Sequence, residues 1–341
     1  MLRDSKSNKE KENYGCRKNK KVMQRFLINF KYAFNPRKPL LILRLIWNFI
    51  RIFIFKKCLL RYVDLSIGYK CNLSCPHCFA IPRQKEFGRM PPSHFAKVVK
   101  DAMKLGAVNF SFQGGEPLLY PDLKDYIQAA QPHKNLISIS TNGTLLTYEK
   151  ARELKSWGVD IVTISNDRFR EYTFQEAKIF KESIDSALAA GLKVTIATVL
   201  TSQEITNGGF LSKLISVSLK YRIILMIIFP VPIGRWEGNN EVMLTEGDIS
   251  YIRYLEEKYP YIRTDFQANY YKRGCGAAKE IVYINPYGEV FACPFIQIPF
   301  GNLRRMPLWK IRERMLKVPL LQEYHQNCIA GEKGGLWARC L

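Results

Sequence analysis

YVDLSIGYKCNLSCPHC, Tyr62 to Cys78, is an alternating run that ends in three closely spaced cysteines. YVDLSIGY has the two-residue period of a strand and leads straight into Cys71. The loop that follows sets Cys71, Cys75 and Cys78 in the pattern C-x3-C-x2-C. Gaps this short let one loop wrap one metal centre. Structural zinc takes four protein ligands, and catalytic zinc takes three plus water. A [4Fe–4S] cube also takes thiolates, and three cysteines would leave one iron open to a non-protein ligand. Spacing alone leaves zinc, a cluster and a chance triad of thiols open.

Outward from this loop, strand and helix patterns alternate about six times. Strands are predicted at 62–69, 108–112, 136–140, 159–165, 193–200 and within 222–234. Between them lie helical patterns. One has Ser93 as a cap and Phe95, Val98, Val99 and Ala102 on one face; the others cover 121–130, 147–157 and 176–190. Such a chain builds a parallel sheet with right-handed crossovers, open or curled into a barrel. Ligands then sit at the carboxyl ends of the strands. The sharpest polar signals fall there: Cys71, Gly114–Pro117, Thr141–Gly143 and Asn166–Asp167 each follow a strand.

Five segments are expected: a basic, mobile arm over 1–36, an amphipathic helix over 37–61, the α/β unit over 62–235, a helical connection over 236–274 and a compact cysteine-bearing unit over 275–341. In the connection, Thr245 with Asp248 predicts a helix cap. In the last unit, 281–294 reads as a hairpin turning at Asn285–Gly288, and 307–315 as a helix. Residues 1–61 hold 17 Lys and Arg against 3 Asp and Glu, so they carry +14 of the net +22. That excess suits an anionic membrane surface or a nucleic acid, or simply a solubilising tail. LLILRLIWNFIRIFIFKK, Leu40 to Lys57, has apolar runs too short to span a bilayer. Arg44, Asn48 and Arg51 gather on one helix face, Arg37 extends that stripe, and Trp47, Phe49, Phe53 and Phe55 lie elsewhere. The pattern fits a helix lying in a membrane interface with its basic side toward phospholipid headgroups, or one packed across the bottom of the following domain.

The chain has 341 residues, 47% hydrophobic and 24% charged, enough for a sizeable core. Its nine cysteines are odd in number, clustered, and preceded by no signal-peptide pattern. A secreted disulfide scaffold is therefore not expected; metal in a reducing, cytoplasmic compartment is. The location expected is the cytoplasm, including the inner face of the membrane. No recognisable DNA- or RNA-binding module is present, so nucleic acid is not the expected partner. The second group, Cys275, Cys293, Cys328 and Cys340, suffices for another iron–sulfur cluster, with zinc as the alternative. Cys16 and Cys58 stand outside both groups. Tyr270, Tyr271 and Lys272 precede Cys275 and read as linker residues or cavity-facing groups; Gly334 and Gly335 precede Cys340.

The loop CNLSCPHC resembles the signature of the radical S-adenosylmethionine (SAM) enzymes, with His77 where that family usually has an aromatic residue. GGEP at Gly114–Pro117 is similar to the family's second motif, beside the methionine amino group. STNG at Ser140–Gly143, TISND at Thr163–Asp167, GLKVTIATVL at Gly191–Leu200 and PVPIGR at Pro230–Arg235 resemble the later motifs in order. The resemblance implies a partial (β/α)6 TIM-like barrel. It implies a [4Fe–4S] cluster on Cys71, Cys75 and Cys78. It implies SAM contacts at Gly114, Gly115, Glu116, Pro117, Thr141, Asn142, Ser165, Asn166, Asp167, Ile196 and Val231. Reductive cleavage of SAM would then give methionine and a 5′-deoxyadenosyl radical that takes a hydrogen atom from the substrate.

Physics supports part of this set. Gly114 and Gly115 leave room for close backbone approach to a ligand. Glu116 can accept hydrogen bonds from an ammonium group, and Asn142 and Asp167 can bond ribose hydroxyls. GCGAAKEIVYINPYGEVFACP followed by GNLRRMPLWKI resembles the start of a SPASM/twitch extension, which carries auxiliary [4Fe–4S] clusters. Complete SPASM domains have seven cysteines; this region has four, so at most one auxiliary cluster is assigned.

The substrate expected from the SPASM/twitch resemblance is a peptide or protein. The basic arm raises a lipid or other membrane-associated substrate as the alternative. A third reading, an iron–sulfur protein without turnover, is disfavoured by the nucleotide-site motifs. An electron donor such as flavodoxin or ferredoxin is implied as a partner.

Overall fold

The computed structural model describes residues 23–81, 87–168, 174–264, 274–326 and 328–330. The basic segment before residue 23, and with it Cys16, lies outside them, as do Tyr270, Tyr271, Lys272, Gly334, Gly335 and Cys340.

The described residues form one mixed ten-stranded sheet, with six parallel strands neighbouring one another in chain order. Six parallel strands match the expected ones: β1 (Tyr62–Ser66), β2 (Asn109–Gln113), β3 (Leu136–Thr141), β4 (Ile161–Ser165), β5 (Lys193–Val199) and β6 (Ile224–Ile228). The crossovers are helices, as right-handed parallel connections require. Helix α3 (Pro92–Lys104) buries Phe95, Val98, Val99 and Ala102, the face read from their spacing. Ser93 is not its cap: Pro91 holds that place, and Pro92 opens the helix where a missing N–H costs nothing. Helices α4 (Leu123–Ala129), α5 (Tyr148–Ser156), α6 (Phe174–Ala189), α7 (Ser202–Asn207) and α8 (Gly209–Tyr221) follow. Thr147 caps α5 by accepting from the Lys150 N–H.

Two strands and one strand pairing were not foreseen. The expected helical connection contains α9 (Glu246–Lys258), capped reciprocally by Thr245 and Asp248, and then β7 (Ile262–Thr264), which pairs parallel with β6. At the opposite edge β8 (Ile281–Ile284) pairs parallel with β1. The hairpin of β8 with β9 (Glu289–Phe291) is antiparallel, as expected, and β10 (Gly301–Asn302) extends it. The cysteine-bearing unit thus continues the sheet rather than standing apart from it. Its helix α10 (Leu308–Leu316) rests on α3.

The sheet's two faces differ, and strand parity sorts them. Leu65, Phe112, Ile139, Val162 and Val194 register in one row, on the face that packs against the helices. Phe95 of α3 meets Phe110 and Phe112 edge-on there. The other face is polar: Tyr283, Asp64, Ser111 and Ser138 form one cross-strand row. Ile196 belongs with Ile164 and Leu225 to the apolar helix side and is fully buried. The expected ligand contact at Ile196 is therefore corrected: the two-residue period turns its side chain away from the polar face.

The N-terminal helices are α1 (residues 23–33) and α2 (Pro39–Phe53). They lie across the amino-terminal ends of the strands. In α1, Ile28 and Tyr32 pack on Ile224, and Tyr32 donates to the Val194 carbonyl and accepts from the Ile224 N–H. Lys38, just before α2, is buried in an ion pair with Asp160 and donates to the Asn135 and Gly158 carbonyls. On α2 the stripe of Arg44, Asn48 and Arg51 points inward, whereas Arg37 stands before the helix and is exposed. Arg44 bonds the carbonyls of Lys134 and Ala107, Asn48 that of Gly106, and Arg51 that of Lys104. The basic side drawn toward phospholipid headgroups is thus corrected, because these groups satisfy carbonyls of loops and of the end of α3. The packing alternative holds for that side of the helix.

Candidate metal and nucleotide site

The cysteine loop is held at the carboxyl ends of the strands from four directions. After β2, the Gly115 N–H donates to Gly68 O (2.8 Å) and the Glu116 N–H to Lys70 O (2.9 Å). The approach is close enough to exclude side chains: a Cβ on Gly114 would lie 2.3 Å from Gly68 O, and one on Gly115 would lie 2.1 Å from Lys70 O. Gly114 also has φ +137°, which favours glycine. The space a side chain would need at these glycines is thus taken up by the backbone that launches the cysteine loop. Tyr120 adds a brace, its hydroxyl accepting from the Lys70 N–H at 2.7 Å.

From β3, Asn142 donates through Nδ2 to Asn72 Oδ1 (2.8 Å), and Asn72 donates to Thr144 Oγ1 (2.8 Å). From β4, Asp167 lies 3.2 Å from His77 Nε2. The histidine at the family's aromatic position thus links the loop to the ribose-side segment. After β6, Arg235 bonds Ser74 Oγ (2.8 Å) and the Cys75 carbonyl (3.2 Å), and its N–H donates to Cys78 O. Gly234 sits at φ +63°, where a Cβ would strike Cys78 O at 2.3 Å.

The candidate residues divide by exposure. Cys71 is exposed, and Cys75, Cys78, Gly114, Gly115, Asn142 and Ser165 are half-buried at the strand ends. Glu116 is fully buried. Its oxygens accept from Thr141 Oγ1 (2.8 Å), the Asn142 N–H (2.7 Å) and the Leu118 N–H (3.0 Å). The carboxylate foreseen as an ammonium acceptor therefore locks the second motif to the third. Asp167 is similarly enclosed, with Oδ1 accepting from the Val199 N–H at 2.6 Å. Pro117, Thr141, Asn166 and Val231 are buried around these. Gln113 was missed by sequence reasoning. It ends β2 on the polar face, and its buried Nε2 has no hydrogen-bond partner among the described residues. Its place directly before Gly-Gly at a strand end was the available signal.

Burial pushes the Cys78 thiol up, while the Ala80 backbone and Arg235 pull it down. Among the described residues no three His, Cys, Asp or Glu side chains are drawn together around a single ion. A cubane cluster asks for less convergence, since each of its irons takes its own ligand. Three thiols on one loop, beside a buried amide donor lacking a partner, fit such a cluster and a polar ligand next to it.

Deeper on the polar face, burial raises the Asp64 carboxyl to about 7, against the pull of Ser111, Tyr62 and Arg61. Its folded value lies above its unfolded one, so folding favours the protonated form. That stabilisation is complete below about pH 4 and is lost as pH rises through about 7. Asp64→Asn is expected to flatten this decline in urea unfolding measured from pH 5 to 8; an unchanged pH profile would show that Asp64 does not cause it.

In the second group, the Cys275 N–H donates to His325 O (2.7 Å), which brings Cys275 beside the segment leading to Cys328. The Ala278 N–H donates to Ala292 O, next to Cys293. Cys275 and Cys328 are buried and Cys293 is half-buried. The Lys279 ammonium is buried close by, bonded to Leu321 O and facing the Tyr324 ring. Burial lowers its pKa, while Cys275 and Cys58 raise it. A buried cation among thiols suits an anionic cluster.

The model of the radical SAM superfamily matches residues 65–204, and that of an iron–sulfur cluster-binding domain, SPASM, matches 275–329. A probable GTP 3′,8-cyclase of Methanococcus aeolicus is 32% identical over 185 residues, covering 51% of this chain and 60% of that protein. A tungsten-containing aldehyde ferredoxin oxidoreductase cofactor-modifying protein of Pyrococcus furiosus is 37% identical over 110 residues, covering 32% and 31%. The matched part of the chain thus spans less than two thirds of these relatives. Among solved structures, native anSMEcpe with bound AdoMet superposes with a TM-score of 0.58 at 17% identity, covering 80% of this chain and 84% of that one. Streptococcus suis SuiB bound to precursor peptide SuiA gives 0.57 at 16%, covering 78% and 66%. These likenesses establish the fold as the TIM-like partial barrel.

Proposed function

Because the chain belongs to the radical SAM superfamily and carries a C-terminal SPASM iron–sulfur domain, we propose that it is a radical SAM enzyme that modifies a peptide or protein. Cys71, Cys75 and Cys78 hold a [4Fe–4S] cluster with one iron left for SAM. The observation that carries this reading is the cysteine loop itself, fixed at the strand ends by the second, third, fourth and sixth strand motifs at once. A reduced cluster held there would supply the single electron for reductive cleavage of SAM, and with it the capacity to abstract a hydrogen atom from the substrate. This chain's residues do the positioning. Glu116 and Asp167 fix the loops. Gly114, Gly115, Asn142 and Ser165 border the nucleotide, with Gln113 offering an amide donor. Cys275, Cys293 and Cys328, together with Cys340, hold one auxiliary [4Fe–4S] cluster. A flavodoxin- or ferredoxin-type protein in the cytoplasm supplies the electron.

The SPASM domain supports a peptide or protein substrate. A second reading, a nucleotide such as GTP, draws support from the GTP 3′,8-cyclases at over 30% identity across half the chain. The lipid alternative rested on the basic arm, and α1 and α2 lie at the opposite end of the strands from the site. Anaerobic reconstitution is expected to give about eight irons per chain, falling to about four in Cys275→Ala/Cys293→Ala. Incubation with SAM and reductant should then release 5′-deoxyadenosine. Mass spectrometry of a co-expressed neighbouring peptide, run beside an assay with GTP, separates the two substrates. Turnover of GTP with an unmodified peptide would replace the first reading by the second.

A further inference from the structure

The inward turn of the polar stripe on α2 leaves its other side bare. Leu43, Ile46, Trp47 and Phe49 are each more than half exposed. On α1, Met23, Phe26, Leu27 and Phe30 are exposed to the same degree. Of the 17 large hydrophobic side chains exposed among the described residues, 12 fall between 23 and 55. Solvated single apolar residues need no explanation, but a concentration of this kind on two adjacent helices does. Among the described residues no element covers it.

Charge selects the occupant. Residues 23–61 contain nine Lys and Arg and no Asp or Glu. Lys31, Arg37, Lys56 and Lys57 are exposed around the apolar side chains. Beside α2 a shallow hollow is lined by Lys100, Lys104 and Lys134, together with Arg44, whose guanidinium is engaged inward. A second copy seated here by a two-fold axis would set this acid-free rim against itself, and like charges would oppose the contact. An anionic surface with an apolar interior satisfies both features: aromatic and aliphatic side chains enter the acyl boundary while Lys and Arg reach headgroups.

We propose that the outward face of α1 and α2 docks on an anionic lipid bilayer. The strand carboxyl ends, with the cysteine loop, then point away from the membrane. The bilayer is thus an anchor rather than the source of substrate, and the docking stands whatever chemistry the barrel performs.

The test uses the full chain and phosphatidylcholine vesicles, with or without about one third phosphatidylglycerol. Co-sedimentation is expected with the anionic vesicles and is weakened by high salt. In Trp47→Ser/Phe49→Ser it falls at least about tenfold, because exposed apolar area has been removed. Trp47→Phe guards against misfolding as the cause. It keeps the apolar area and still binds, yet it loses most of the fluorescence quenching that chain-brominated lipids produce in the unmodified protein. Three results would overturn the proposal: no vesicle binding, equal partitioning of the unmodified protein and the double variant, or a concentration-dependent dimer that the double variant breaks. The last would make a second copy the occupant.

Discussion

Cys75→Ala is expected to abolish reductive cleavage of SAM, lowering 5′-deoxyadenosine formation by at least about a thousandfold. His77 is engaged by Asp167 and Ser74 by Arg235. Two thiolates then remain for a centre that requires three, and iron content should fall from about eight to about four per chain. Cys75 is half-buried on a surface loop, so its loss leaves the hydrophobic core untouched. The unfolding midpoint of the metal-free protein should stay within experimental scatter, which separates a missing ligand from a missing fold. Cleavage at the original rate would reject the assigned triad.

Gly115→Ala carries the second large effect. The added Cβ meets Lys70 O at 2.1 Å, a backbone atom held by the Glu116 N–H, so no side chain can rotate out of the way. Either the second motif or the launch of the cysteine loop must move. The expected cost is about 2–4 kcal/mol in urea unfolding, in the range of a strained, overpacked site. Cluster assembly on the displaced loop should fail with it. Gly209→Ala is the control. A Cβ there meets nothing within 4 Å, and α8 (Gly209–Tyr221) gains from alanine's lower backbone entropy. Equal stability of the two variants would mean that the close approach at Gly115 has no energetic weight.

The parallel strands were legible because each is a short apolar run bounded by turn residues and separated by helical patterns. The site was legible because its motifs follow those strands. What the sequence hid was pairing at a distance. Ile262–Thr264 is too short to announce itself beside α9, and nothing local in Ile281–Ile284 states that its partner is β1. The glycines of the second motif signalled close approach, but not that the approaching group is Gly68–Lys70 backbone. Ile196 was assigned by motif position, whereas its facing follows from strand parity relative to its neighbours. Arg44, Asn48 and Arg51 show the same limit. A polar stripe serves headgroups and loop carbonyls equally well, and only the loops before β2 and β3 decide which.

The proposed chemistry requires an iron of the N-terminal cluster that no side chain ligates. Electron–nuclear double resonance on the reduced protein, with SAM labelled at its amino nitrogen and carboxylate oxygen, reads that corner directly. Couplings from both labelled groups are predicted, present in the chain as it stands and absent in Cys75→Ala. Couplings from a histidine nitrogen such as that of His77, with none from labelled SAM, would contradict the account.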